Sequence, residues 1–155
     1  TVTIVEFSDM QCPFCKKRAA DLDALVAKMS KELKIRRVSK AFPIADHAWA
    51  FRAAAAGRCF YEKKKDLYFH WKSSVYGRQQ TLTVGELDTF ALDFAVANDL
   101  SEEEFRSCYL QGNAVSSVLA DLSEGFAVRD SDSANARTVS SCTSRTDAGV
   151  TTMTG

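Results

Sequence analysis

The sequence predicts an α/β chain that opens as a strand, helix, strand unit and continues as a run of helices. Three observations carry this. A β-branched and aromatic run, Thr3 to Phe7, stands at the start; apolar residues at helical spacing follow from Pro13 to about Ser30; and from about Asp46 to Gln111 the pattern is helical throughout. With 155 residues, 46% of them hydrophobic, the chain can bury a real core as one domain, or as a domain carrying one insertion.

Thr3 to Phe7 reads as a buried strand with a single acid, Glu6, inside it. In the helix that follows, Cys15, Ala19, Leu22, Leu25, Val26 and Met29 recur at three and four and form a core-facing stripe. Pro13 suits its first turn, where a missing N–H costs nothing. A second strand runs from about Ile35 to Phe42 and is closed by Pro43. Two strands joined by one helix in this way form a βαβ unit with parallel strands.

The helical stretch divides at its own signals. Ala48 to Tyr61 is Ala-rich, Asp66 to about Val75 is aromatic, and Tyr76-Gly77 reads as a break. Thr83-x-x-Glu86 and Ser101-x-x-Glu104 each fit a capping box, so two more helices are expected there, with apolar faces Leu87, Phe90, Ala91, Phe94 and Phe105, Cys108, Tyr109. Gly112 ends the second, and Asn113 caps another that carries Val115, Val118, Leu119, Leu122 and Phe126. From Arg129 to Gly155 there is no Leu, Ile, Phe, Tyr or Trp. Such a segment buries too little surface to offset the entropy of ordering it, so a flexible tail is expected. The organisation is therefore a βαβ start over 1–44, helices over 45–112, a further helix over 113–128 and an atypical tail over 129–155.

Twenty basic and twenty acidic residues cancel, so no global field points to nucleic acid or an anionic membrane. Lys63 to Lys65 and Glu102 to Glu104 read as solvated helix ends. No apolar stretch approaches the roughly 18 residues of a membrane span. Residue 1 already opens the first strand, so no signal peptide is expected within the chain. Five cysteines and two histidines are too scattered for a zinc finger, and no metal site is expected.

The chemistry concentrates at Cys12-Pro13-Phe14-Cys15. The preceding strand delivers Cys12 to the first turn of a helix, where unpaired N–H groups and the helix dipole favour a thiolate. A thiolate is the nucleophilic form of cysteine. Cys15, one turn on, would face Cys12 at disulfide distance and let the pair cycle between dithiol and disulfide. Glu6 is either a buried carboxyl, with a raised pKa suited to proton transfer, or an acid at a strand edge facing water. Cys59 and Cys108 are either a second disulfide or two small buried hydrophobes. Cys142 reads as a stray thiol in the tail, and His47 and His70 as packing or capping residues.

The stretch from Thr3 to Lys17, TIVEFSDMQCPFCKK, resembles the active-site segment of the DsbA-like branch of the thioredoxin superfamily almost position by position. The likeness continues through Ala41-Phe42-Pro43, the Ala-rich stretch to Cys59, Tyr68-Phe69-His70, Leu100 to Tyr109, and Ala120 to Gly125. It implies a thioredoxin-like fold with an inserted all-helical subdomain, and thiol:disulfide oxidoreductase activity that forms or exchanges disulfides in proteins. Cys12 would then be the exposed nucleophile and Cys15 the resolving thiol, with Pro13 and Phe14 tuning the redox poise and Glu6 relaying protons beneath the dithiol. No organic cofactor or metal would be needed beyond a redox-active Cys12–Cys15 disulfide. The partners implied are reduced or misoxidised proteins and a soluble or membrane redox partner, in a bacterial periplasm or at the cell envelope.

Two departures accompany the likeness. The family places a Thr/Val-Pro step against its dithiol before its C-terminal strands, but this chain has only Pro13 and Pro43, with none over 131–137. The C-terminal strands are accordingly expected to be missing or degenerate. Arg37 and Ser39 stand where the family's second strand is usually apolar. A disulfide reductase or isomerase, a dithiol that binds Zn²⁺ or Cu(I), and a catalytically impaired remnant of the family are the alternative readings.

Overall fold

Val2 to Ser8 form β1, the middle strand of a three-stranded sheet of order β2-β1-β3, with β2 at Ile35–Ala41 and β3 at Val139–Ser141. The structure is a computed structural model and describes residues 1–110, 112–130 and 139–141. Both neighbours run parallel to β1, in registers that pair Glu6 with Ser39 and with Ser140. Helix α1 (Pro13–Met29) connects β1 to β2 as the sequence predicts, with Cys12 at its N-cap in extended backbone and Pro13 inside its first turn.

Four helices follow: α2 (Ala50–Lys63), α3 (Lys65–Arg78), α4 (Val84–Ala97) and α5 (Glu102–Leu110). The break expected at Tyr76-Gly77 is absent. Tyr76 is buried in the core and Gly77 faces open space, so tertiary packing carries α3 on to Arg78 despite the glycine. Both capping boxes form: the Thr83 N–H donates to the Glu86 carboxylate at 3.1 Å, and Ser101 and Glu104 exchange bonds of 2.9 and 3.2 Å. Trp71 is the largest fully buried side chain and donates its indole N–H to the Ala53 carbonyl at 2.8 Å. Small residues on α2 make room for it. A Cβ on Gly57 would lie 3.1 Å from Trp71 and 3.2 Å from Tyr68.

Helix α6 (Asn113–Asp130) lies against the sheet. Gly125 sets its approach, because a Cβ there would come within 2.5 Å of the Phe42 ring and 3.0 Å of Phe7. Asp121 accepts the Ala41 N–H at 2.9 Å, and Lys40 pairs with Asp121 and Glu124. This contact turns α6 away from its expected apolar face. Ala114, Val118 and Gly125 are buried, whereas Val115, Leu119 and Phe126 are exposed. The flexible tail expected from Arg129 falls mostly outside the described residues, as does Cys142. Of its described residues, Arg129 and Asp130 continue α6 and Val139–Ser141 pair with β1. No helix among the described residues is long and apolar enough to cross a membrane.

Candidate active site

β1 ends at Ser8 and α1 begins at Pro13, so Asp9 to Cys12 form the turn that carries the first cysteine. Asp9 organises it. Its carboxylate, with no exposed surface, accepts the N–H groups of Gln11 at 2.6 Å and Cys12 at 3.2 Å on Oδ1. On Oδ2 it accepts the Ile44 N–H and the His47 Nδ1 hydrogen, both at 2.7 Å. The turn is also held from outside. Gln79, at the C-terminal end of α3, donates to the carbonyls of Met10 and Cys12 at 2.9 and 3.0 Å, and Gln11 Oε1 accepts the Trp49 N–H at 2.8 Å.

Cys12 is 1% exposed, which corrects the expectation of an exposed nucleophile. It belongs to one continuous buried core with Met10, Cys15, Trp49 and residues of α2 and α3. The exposed member of the motif is Phe14, at 64%. Cys12 carries a free thiol. Cys15 is buried one turn into α1, accepts the Asp9 N–H on its sulfur at 3.3 Å, and is disulfide-bonded, though not to Cys12. Pro13 occupies the first helical position.

Glu6 is buried at 5% exposure, so the reading as a solvent-facing edge acid does not hold. Nor does a raised pKa. Burial alone would push it up, but Lys72 at 3.0 Å and Arg37 at 3.0 Å outweigh burial and hold the carboxyl below its ordinary value. Lys72 is itself 3% exposed and its pKa is lowered, with burial the largest cause. Its ammonium also donates to Ser39 Oγ at 3.2 Å, and that hydroxyl meets the Tyr68 phenol at 3.1 Å, whose pKa burial pushes up to about 12. Lys72 and Arg37 therefore hold Glu6 toward its anionic form within a charge cluster, with its pKa lowered where a raised one is expected from burial. Arg37 and Ser39, polar where the second strand is expected to be apolar, are partners in that cluster, and Arg37 also pairs with Asp23 on α1.

Cys59 on α2 and Cys108 on α5 are joined, with an S–S distance of 2.08 Å and a Cα separation of 5.8 Å. This closes the choice left open between a disulfide and two packed thiols. His70 is exposed on α3. No group of three or more His, Cys, Asp or Glu side chains among the described residues is arranged to hold a metal ion.

Sequence reasoning missed Asp9, His47 and Gln79 as parts of the site. Asp9 stands three residues before Cys12, at Asx-turn distance from Gln11, and that spacing was a legible signal. Lys72 also had one, as the lone charge in the buried stripe Tyr68, Trp71, Val75. Nothing local marks Gln79 or His47, which reach the turn only through the tertiary fold.

Residues 1–131 match the sequence model of a family described as thioredoxin. No curated protein matches the chain. Among solved structures, alpha-DsbA1 of Wolbachia pipientis is similar with a TM-score of 0.65 at 18% identity, over 81% of this chain and 62% of that one. The thiol-disulfide exchange protein alpha-DsbA2 of the same organism gives 0.64 at 22%, over 84% and 64%. A thioredoxin-like oxidoreductase from Silicibacter pomeroyi gives 0.55 at 24%, over 81% and 65%. The chain spans less than two thirds of the length of each of these structures.

Proposed function

The chain belongs to the thioredoxin family, and from that membership we propose that it is a thiol:disulfide oxidoreductase acting on protein cysteines through Cys12 and Cys15. The observation that carries the reading is the placement of Cys12 at the N-cap of α1, straight after the central strand, with Cys15 one turn further on. The α1 N-terminus favours negative charge on sulfur there.

In the oxidising direction the cycle starts from a Cys12–Cys15 disulfide, which forms when the free Cys12 thiolate attacks the Cys15 sulfur and the sulfur now bonded to Cys15 leaves as a thiolate. A substrate thiolate attacks the Cys12 sulfur, the Cys12–Cys15 bond breaks, and Cys15 leaves as a thiolate. A second substrate thiolate attacks the mixed disulfide, so the substrate disulfide forms and Cys12 leaves. Two electrons have passed to the protein, and the two substrate protons end on Cys12 and Cys15 or in solvent. A redox partner re-forms the Cys12–Cys15 bond. The same residues run reduction or isomerisation when the redox poise is reversed. The electrons pass between sulfurs, so the cycle as written calls on no organic cofactor or metal. Reduced or misoxidised proteins are the substrates, and the Cys59–Cys108 bond supports an oxidising compartment such as a bacterial periplasm or cell envelope.

Because Cys12 is buried, substrate has to displace what covers it, and the Gln79 side chain and the Trp49 backbone N–H are tied to its turn. The reading is tested by trapping. A variant carrying Cys15→Ala and Cys142→Ala, incubated with the symmetric disulfide of a single-cysteine peptide, should accumulate the Cys12–peptide mixed disulfide as one peptide thiol leaves, because Cys59 and Cys108 are bonded to each other and no further thiol remains to resolve it. Absence of any adduct at Cys12 would count against the mechanism. A slow remnant of the family is a second reading, favoured by the burial of Cys12 and the bond at Cys15 to another sulfur. It predicts that the adduct forms but that multiple-turnover exchange does not exceed the uncatalysed rate.

A further inference from the structure

We infer that Asp9 and His47 are a positioning pair for the dithiol and set the equilibrium between its two redox states; this rests on the thiol:disulfide reading above. Asp9 reaches both cysteines: its carboxylate accepts the Cys12 N–H at 3.2 Å and its own N–H donates to the Cys15 sulfur at 3.3 Å. A buried carboxylate is tolerated only when its lone pairs are filled. Here three backbone N–H groups and one imidazole fill them, and two of the four donors, Ile44 and His47, come from the loop after β2. His47 Nδ1 carries the hydrogen, because a carboxylate only accepts. Its ring remains partly open to solvent, with 21% of the side chain exposed.

The arrangement has an electrostatic sense. Reduction of the Cys12–Cys15 disulfide by two glutathione thiols breaks one S–S bond and forms another in oxidised glutathione, and two protons pass to the protein sulfurs or to solvent. The reduced state is favoured in proportion to how well it holds a thiolate. Asp9 places a negative charge against the Cys12 backbone and therefore disfavours that thiolate. The His47 hydrogen bond draws part of the carboxylate charge away and weakens the effect. Removing the charge and removing its neutralising donor thus act in opposite directions, which a general loosening of the turn does not reproduce.

The test equilibrates the full chain with glutathione buffers and reads the Cys12–Cys15 disulfide by acid-quenched alkylation and peptide mass. His47→Ala is expected to move the equilibrium constant about threefold to tenfold toward the disulfide. Asp9→Asn moves it toward the dithiol. His47→Asn, whose amide offers a donor where Nδ1 stood, returns it to within about twofold of wild type. Thermal unfolding confirms that each variant folds, and if Asp9→Asn does not, the two His47 variants decide. The inference is overturned if His47→Ala leaves the constant unchanged, if His47→Asn shifts it as far as His47→Ala, or if Asp9→Asn moves it the same way as His47→Ala. A wild-type chain that forms no Cys12–Cys15 disulfide at any glutathione ratio overturns the functional reading itself, and the inference with it, which is a separate outcome.

Discussion

Removing both members of the Glu6 and Lys72 pair is expected to cost clearly less than the sum of removing each alone. The two charges lie 3.0 Å apart and both side chains are almost fully buried. Lys72→Met or Glu6→Gln alone leaves a buried charge short of its partner, at a cost of about 3–5 kcal/mol, whereas the double variant should lose clearly less than the sum. Denaturant unfolding of the four proteins checks this, and additive losses would contradict the pairing. The sign of the Glu6 shift also sets a pH dependence. Its folded pKa lies below the ordinary 4.5, so its stabilisation is fully present above that value and is lost as the pH falls through the folded one. The stability gap between wild type and Glu6→Gln should therefore narrow in acid, and a gap that widens there would show that the carboxyl is not held as an anion. The position of Glu6 inside a buried strand was legible in the sequence. Its charge state was not, because Lys72 is 66 residues away in the chain and reaches it only when α3 packs on the sheet.

Helix ends and helix approaches differ in how much the sequence discloses. Both capping boxes were legible from four-residue patterns, and Ser101→Ala is expected to cost about 1 kcal/mol, read by thermal unfolding. The buried face of α6 was not legible, because its apolar residues describe one stripe and its small residues another. Gly125 decides between them: only a missing side chain lets the backbone come so close to Phe42 and Phe7. Gly125→Ala should destabilise by about 1–3 kcal/mol through overpacking, even though alanine is the better helix former. A stabilised Gly125→Ala protein would mean that α6 does not sit against the sheet as described. The break expected at Tyr76-Gly77 failed for the complementary reason. Burial of Tyr76 outweighs a glycine penalty of about 1 kcal/mol.

Across the whole molecule, the Cys59–Cys108 bond ties α2 to α5 over 49 residues of chain. A crosslink of that span typically contributes about 2–4 kcal/mol by restricting the unfolded chain, so Cys108→Ser should lower the unfolding midpoint, and with reducing agent present in both samples the difference from wild type should vanish. The βαβ start and the position of the dithiol were legible from local pattern alone. The ties that hold the dithiol turn were not, since Asp9, the His47 and Trp49 loop, and Gln79 come from three separate stretches and meet only in the folded chain. Burial of Cys12 follows from that meeting and could not be read from the motif. The central claim is that Cys12 is the sulfur through which the chain exchanges disulfides. Dithiothreitol-driven reduction of insulin, followed by turbidity with wild type and Cys12→Ser side by side, tests it most directly. Precipitation that is faster than the uncatalysed reaction for wild type and falls back to the uncatalysed rate for Cys12→Ser is the predicted result, and equal rates for the two proteins would contradict it.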